Sequence, residues 1–175
     1  MILELSKEEY KGYPLKFKYT TDSYYKVDIL EDNGFTVTLK KECLDNEIDK
    51  SFTDTLFPDY WQNASAYGYF VEGKIKGILE VERELWSKRL RVTSILVDPD
   101  IRRNGIGALL LNKAREIALE EGYRAIILET QTCNVKAIEF YLSQGFKLGG
   151  FDRSCYSNND IEKKEVRLEL VFFTN

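Results

Sequence analysis

Residues 90–143 pass twice from a strand-like to a helix-like hydrophobic pattern, and this alternation constrains the fold more than any other feature. Residues 90–97 (LRVTSILV) read as a strand, stopped by Asp98-Pro99 because proline cannot continue a ladder. Residues 107–121 read as an amphipathic helix with Leu110, Leu111, Ala114, Ile117 and Ala118 on one face. Gly122 stands where a left-handed residue would end that helix. Residues 125–130 form a short, nearly all-apolar run, the kind of strand covered on both faces. Asn134 is a cap candidate for a second helix reaching Ser143, with Gly145 as its stop. A strand–helix–strand–helix order places the chain in the α/β class.

The flanking segments add strands. Residues 24–30 are β-prone, Asp32-Asn33-Gly34 is turn chemistry, and residues 35–39 alternate, which together predict a hairpin. A second hairpin is expected over residues 67–84, turning at Glu72-Gly73. Residues 146–150 and 166–173 read as closing strands. Residues 45–61, with Phe52, Leu56, Phe57, Tyr60 and Trp61, read as an irregular helix or a loop. Three prolines and no low-complexity run mark no linker among the 175 residues, so one domain is expected.

Composition removes several chemistries. The chain has no histidine, which excludes Ser-His-Asp and Cys-His nucleophilic sites and His-ligated zinc. Proton transfer falls to Asp, Glu, Lys, Tyr or water. Three cysteines, Cys43, Cys133 and Cys155, lack CxxC spacing, so no metal is expected, and they fit reduced thiols in a cytoplasm. A balance of 25 basic against 29 acidic residues is not the footprint of a nucleic-acid binder. No run approaches the roughly 20 apolar residues of a membrane span, so neither nucleic acid nor membrane is an expected partner.

The densest chemical signal is residues 97–107, VDPDIRRNGIG, joining a strand to a helix. Glycines here let backbone approach a ligand, and free amides with the helix dipole suit a phosphate. Arg102, Arg103 and Asn104 stand before Gly105-Ile106-Gly107. The missing Gly-Lys-Ser/Thr excludes a Walker loop, and Leu110 in place of a third glycine disfavours a dinucleotide fingerprint. The spacing Arg102-x-x-Gly105-x-Gly107 resembles the acetyl-CoA loop of the GNAT N-acetyltransferases. Asn134, then Phe140-Tyr141 and Gly145-Phe146, fits the same family. The run Leu128-Glu129-Thr130-Gln131-x-x-Asn134, with Phe140-Tyr141, Gly145-Phe146, Asp152 and Tyr156, is similar to the streptothricin acetyltransferases within it. The pattern departs at Cys133, where that group commonly has Asn.

The resemblance implies a GNAT-like mixed, mostly antiparallel central sheet with flanking helices. It assigns residues 66–173 to an acetyl-CoA-binding core and residues 1–65 to a variable part. It implies direct acetyl transfer from acetyl-CoA to a primary amine of a small cationic substrate such as streptothricin, and hence antibiotic resistance. A polyamine, a protein amine, or a CoA-binding regulatory module with little turnover are the alternatives; a homodimer is compatible. Cofactor contacts are expected at Leu96, Val97, the loop residues 102–107 and Asn134. In the resembled family, the tyrosine at the position of Tyr141 protonates the departing sulfur, and its phenol is protonated at neutral pH. Glu129 corresponds to a glutamate that acts as base in some members, and a charge within an apolar strand is expensive without a purpose. Glu80 and Glu82 share a strand face: Glu82 is a second base candidate, and Glu80, Asp152 and Tyr156 are acceptor-site candidates. The plain alternatives are a solvated face for Glu80 and Glu82, a structural hydrogen bond for Glu129, and a turn role for Asp152.

Overall fold

The computed structural model describes residues 1–174. Strand β1 (Ile2–Leu5) is followed by a single-turn helix α1 (Lys7–Tyr10), whose start is capped by Ser6 Oγ accepting from Glu9 N. Strands β2 (Pro14–Leu30) and β3 (Thr36–Thr55) form a two-stranded ribbon. Then come β4 (Ala64–Val71), β5 (Lys74–Glu84), β6 (Arg89–Val97), α2 (Ile106–Glu120), β7 (Ala125–Gln131), α3 (Val135–Ser143), β8 (Lys147–Asp152) and β9 (Arg167–Phe173). The large sheet has the order β1-β4-β5-β6-β7-β9-β8. The β1/β4, β4/β5 and β5/β6 pairs are antiparallel, whereas β6/β7 is parallel, as a strand–helix–strand crossover requires. This is the mixed, mostly antiparallel sheet with helices that the family resemblance implies.

The chain divides into two compact units. The first contains Met1–Phe17, Phe52–Leu128 and the chain from Val171; the second contains Lys18–Ser51 and Glu129–Leu170. In the first, Leu5, Leu15, Leu56, Phe57, Ala66 and Ile78 form a buried cluster. Each side chain of this size, fully buried, contributes about 1.5–3 kcal/mol. Helix α2 buries Ile106, Leu110, Leu111, Ala114, Ile117 and Ala118. Gly77 makes the close approach possible: a Cβ there would meet Ile106 Cγ2 at 3.2 Å and Leu110 Cδ1 at 3.3 Å. In the second, α3 buries Val135, Ile138 and Tyr141, and the Tyr141 and Phe146 rings lie 6.0 Å apart.

Three expectations need correction. Residues 45–55 are neither helix nor loop but the far half of β3. That ribbon strand is mostly exposed, so it carries little of the apolar alternation by which strands are recognised. The hairpin before it is longer than expected, because β2 already begins at Pro14. Finally, β7 is not covered throughout: Ala125, Ile126, Ile127 and Leu128 are buried, but Glu129 is exposed. No helix of the described residues is long and apolar enough to cross a membrane.

Candidate functional site

In the first unit the glycine loop takes the form an anion site needs. Asp98 caps a 3-10 turn (Pro99–Ile101) by accepting from Asp100 N at 3.0 Å. Its other oxygen accepts from Lys76 Nζ at 2.7 Å, which holds the Asp98 carboxyl below its ordinary range. Arg102 Nε donates to Val97 O at 3.0 Å, folding the loop back onto the end of β6. Arg103 and Gly105 both adopt left-handed backbone, with φ of 66° and 78°. Gly105 is the N-cap of α2, makes no side-chain capping bond, and no acidic residue lies in the first turn. The opening amides of α2 are therefore left for a ligand, and exposed Arg102 and Arg103 supply positive charge. Leu96 and Val97 pair with Ile78 and Gly77, and Leu96 lines an open hollow of about 340 Å³ with Tyr13, Lys16, Ile75 and Pro99. This donor set fits the phosphates and pantetheine of an acyl-CoA.

The carboxylates of β5 differ from both sequence-based readings. Glu80 is 1% exposed and Glu82 6%, so neither lies on a solvated face. Both faces of β5 are covered across its middle, which an alternation argument misses. Glu80 Oε1 accepts from Phe57 N and Oε2 from Thr93 Oγ1, each at 2.6 Å. Burial pushes the Glu80 carboxyl up from its ordinary value, against those hydrogen bonds. Glu82 accepts from Asn63 N, at 3.1 and 3.0 Å to its two oxygens, and from Asn63 Nδ2 at 3.3 Å. The expected roles of Glu80 as acceptor ligand and Glu82 as base thus meet carboxylates already occupied by protein donors. Tyr60 is 67% exposed and packs edge-on against half-buried Trp61 at 5.3 Å.

In the second unit Tyr141 is buried, and burial pushes its phenol well above the ordinary value. It is a proton donor at neutral pH and cannot serve as base. Asn134 is the N-cap of α3 by backbone only: Ile138 N and Ala137 N donate to its carbonyl, both at 3.0 Å, while its side chain makes no capping bond. The expected side-chain cap is absent, and its carboxamide remains available to a ligand.

Glu129 is a surface carboxylate, with a side chain 39% exposed, which removes the argument from a buried charge. Every second side chain of a strand turns to the other face, and this one turns outward. Arg167 Nη1 donates to Glu129 Oε2 at 3.1 Å, and the Tyr156 hydroxyl faces Oε1 at 3.5 Å. Burial and then Glu129 push the Tyr156 phenol above its ordinary value. Tyr156 is held by buried Asp160, whose Oδ2 accepts from Tyr156 N at 2.9 Å and whose Oδ1 accepts from Ser157 Oγ at 2.8 Å. Asp152 accepts from Ser154 N and Oγ at 2.9 and 3.0 Å, a turn arrangement, and also lines an open hollow of about 530 Å³ with Glu31, Phe35, Phe151 and Arg167. The structure thus brings Glu129 and Tyr156 together around Arg167, a residue the sequence reading passed over. An arginine and a glutamate, Arg167 and Glu169, alternating with apolar residues in VRLELVFF were the available signal. Cys133 is buried, with its thiol pushed up mainly by burial, and it faces the Tyr19 hydroxyl at 3.3 Å; it is not an activated nucleophile.

Sheet order, glycine loop and helix placement define an acyl-CoA-dependent acyltransferase. The sequence model of the Acetyltransferase (GNAT) family matches residues 27–146, and the chain belongs to that family, whose members use acetyl-CoA. Streptothricin acetyltransferase A of Bacillus subtilis (strain 168) is 31% identical over 127 residues, 73% of this chain and 69% of that one. The crystal structure of nourseothricin acetyltransferase is similar with a TM-score of 0.79 at 27% identity, covering 100% of this chain and 98% of that chain. A Bacillus anthracis str. Ames protein, solved in complex with acetyl coenzyme A, shares the fold with a TM-score of 0.73 at 23% identity, over 99% and 96% of the two chains.

Proposed function

We propose that this acetyltransferase moves the acetyl group of acetyl-CoA directly to a primary amine of streptothricin, the amine of its β-lysine part. The observation that carries this reading is the similarity to nourseothricin acetyltransferase over the whole chain, at 27% identity. The side chains supply suitable chemistry. A lysine-like amine has a pKa near ~10.4 in water and must lose a proton before it attacks. Glu129, steadied by Arg167 and Tyr156, is the carboxylate that draws the cationic acceptor and takes that proton, directly or through water. A backbone amide at Leu96 or Val97 stabilises the oxyanion. Tyr141, kept protonated by burial, gives its proton to the leaving thiolate. Arg102, Arg103, Asn104, Gly105, Ile106 and Gly107 take the phosphates, and Asn134 adds a carboxamide contact to the cofactor. Asp152 and Tyr156 border the acceptor. Residues 1–175 act as a single catalytic domain.

The test is thiol release from acetyl-CoA across streptothricin, a polyamine and a lysine peptide. Saturable release with streptothricin is expected; release only with another amine replaces the acceptor, and release with none leaves a CoA-binding module. Tyr141→Phe is expected to lower kcat by roughly 10²–10⁴-fold while calorimetric acetyl-CoA affinity holds. An undiminished kcat overturns its acid role.

A further inference from the structure

We propose that Glu80 is a positioning residue for acetyl transfer: its carboxylate ties the bulge of β6 to the left-handed backbone at Phe57. This fixes the register in which Ser94, Ile95, Leu96 and Val97 are presented to the acyl donor. The inference rests on the reading of the Leu96–Val97 backbone as part of the donor site, and not on the identity of the amine.

Two irregularities meet at one carboxylate. The first is Phe57, a bulky residue with φ of 54°, buried in the core cluster. A side chain of this kind stays in the left-handed region only where its surroundings over-determine it. The N–H of that residue donates to Glu80 Oε1 at 2.6 Å. The second is a register shift between β5 and β6. Glu80 faces Ser94 while its neighbour Val81 faces Val92, so Thr93 is the extra residue of a bulge. The Thr93 hydroxyl donates to Glu80 Oε2, also at 2.6 Å.

A bulge can relax or migrate, and a one-residue slip turns every following amide and side chain to the opposite side. Ser94 to Val97 follow this bulge directly. A carboxylate suits this place because it accepts on both oxygens, from the Phe57 N–H, which can only donate, and from the Thr93 hydroxyl. A glutamine could meet Phe57 with its carbonyl and leave its amide to Thr93, whose hydroxyl can reverse and accept. A valine at 93 offers nothing. A misplacement of about 1 Å in a reacting geometry lowers rate by on the order of 10²-fold, so the loss belongs in turnover.

The experiment measures thiol release with the amine the wild type turns over best, for Thr93→Val, Thr93→Ser, Glu80→Gln and the double variant E80Q/T93V. All are assayed well below their unfolding temperatures, with folding checked by circular dichroism. Thr93→Val is expected to lower kcat about 10- to 100-fold with the acceptor KM within about twofold of wild type. Thr93→Ser restores most of the rate, Glu80→Gln falls between, and the double variant is no slower than Thr93→Val alone. A folded Thr93→Val enzyme with wild-type kcat overturns the proposal. So does failure of serine to restore the rate, or multiplicative losses in the double variant, because either separates Glu80 from Thr93. Absence of streptothricin turnover in the wild type defeats the acceptor reading alone, since this comparison then runs with another amine.

Discussion

Strands β5 and β7 both carry glutamates inside apolar runs, and the two strands treat them in opposite ways. On β5, Glu80 and Glu82 lie buried and accept from the backbone N–H groups of Phe57 and Asn63 and the side chains of Thr93 and Asn63. On β7, Glu129 is exposed and holds an arginine and a tyrosine. The sequence pattern predicts the reverse on both strands. Apolar neighbours describe the faces a strand offers, but they do not say which are covered. The face of β5 that carries Ile78 and Glu80 is covered by Leu56 and Phe57, which follow β3 directly and are close to β5 only through the fold. The lesson concerns coverage: the same residue type is enclosed by protein donors in one unit and stands at the surface beside an arginine in the other.

The largest test of this contrast is Glu80→Ala. It leaves the Phe57 N–H and the Thr93 hydroxyl without their partner in a dry site, at roughly 1–3 kcal/mol each. The urea midpoint should fall by the equivalent of about 2–6 kcal/mol. Asn63 is exposed, so water can replace Glu82 there, and Glu82→Ala should lose only about 1 kcal/mol. Equal losses for the two variants would break the picture of Glu80 as the deeper anchor.

Glu129→Gln should behave differently. Exposed ion pairs contribute about 0–1 kcal/mol, so its urea midpoint should stay near wild type. Its effect belongs in catalysis: the acceptor KM should rise about tenfold or more and the acetyl-CoA KM should stay fixed. A stability loss as large as that of Glu80→Ala, with kinetics intact, would make Glu129 a structural group.

Much of this was legible in the sequence. The order from β4 to β9, the hairpin turn at Glu72-Gly73 and the glycine loop all follow from local pattern, because each depends on residues a few positions apart. The ribbon beyond Leu39 was not legible, because an exposed strand needs no apolar alternation. Of the site, the junction of strand to helix at the glycine loop was legible, whereas the left-handed backbone at Gly105 emerges only from the structure. Arg167, Thr93 and Asn63 were missed. Each acquires meaning from a partner 38, 13 or 19 positions away, and spacing alone does not record that closeness.

The smallest effect concerns the opposite face of β5, where Arg83 directly follows buried Glu82. Arg83 Nε and Nη2 donate to Glu121 at 2.7 and 2.6 Å. The pair is partly exposed, and Arg83 holds the Glu121 carboxyl below its ordinary range. A carboxyl lowered on folding contributes stability above its unfolded pKa and loses it as pH falls through the folded value. A carboxyl raised on folding, as Glu80 is, carries its penalty at neutral pH and is relieved as pH falls through its folded value. The two glutamine variants should therefore diverge in acid. The urea midpoint gap between wild type and Glu121→Gln should shrink from about pH 7 to about pH 3, while the gap for Glu80→Gln should widen over the upper part of that window. Parallel slopes would show that burial does not separate the two carboxylates, and the contrast between the buried and exposed glutamates would lose its physical basis.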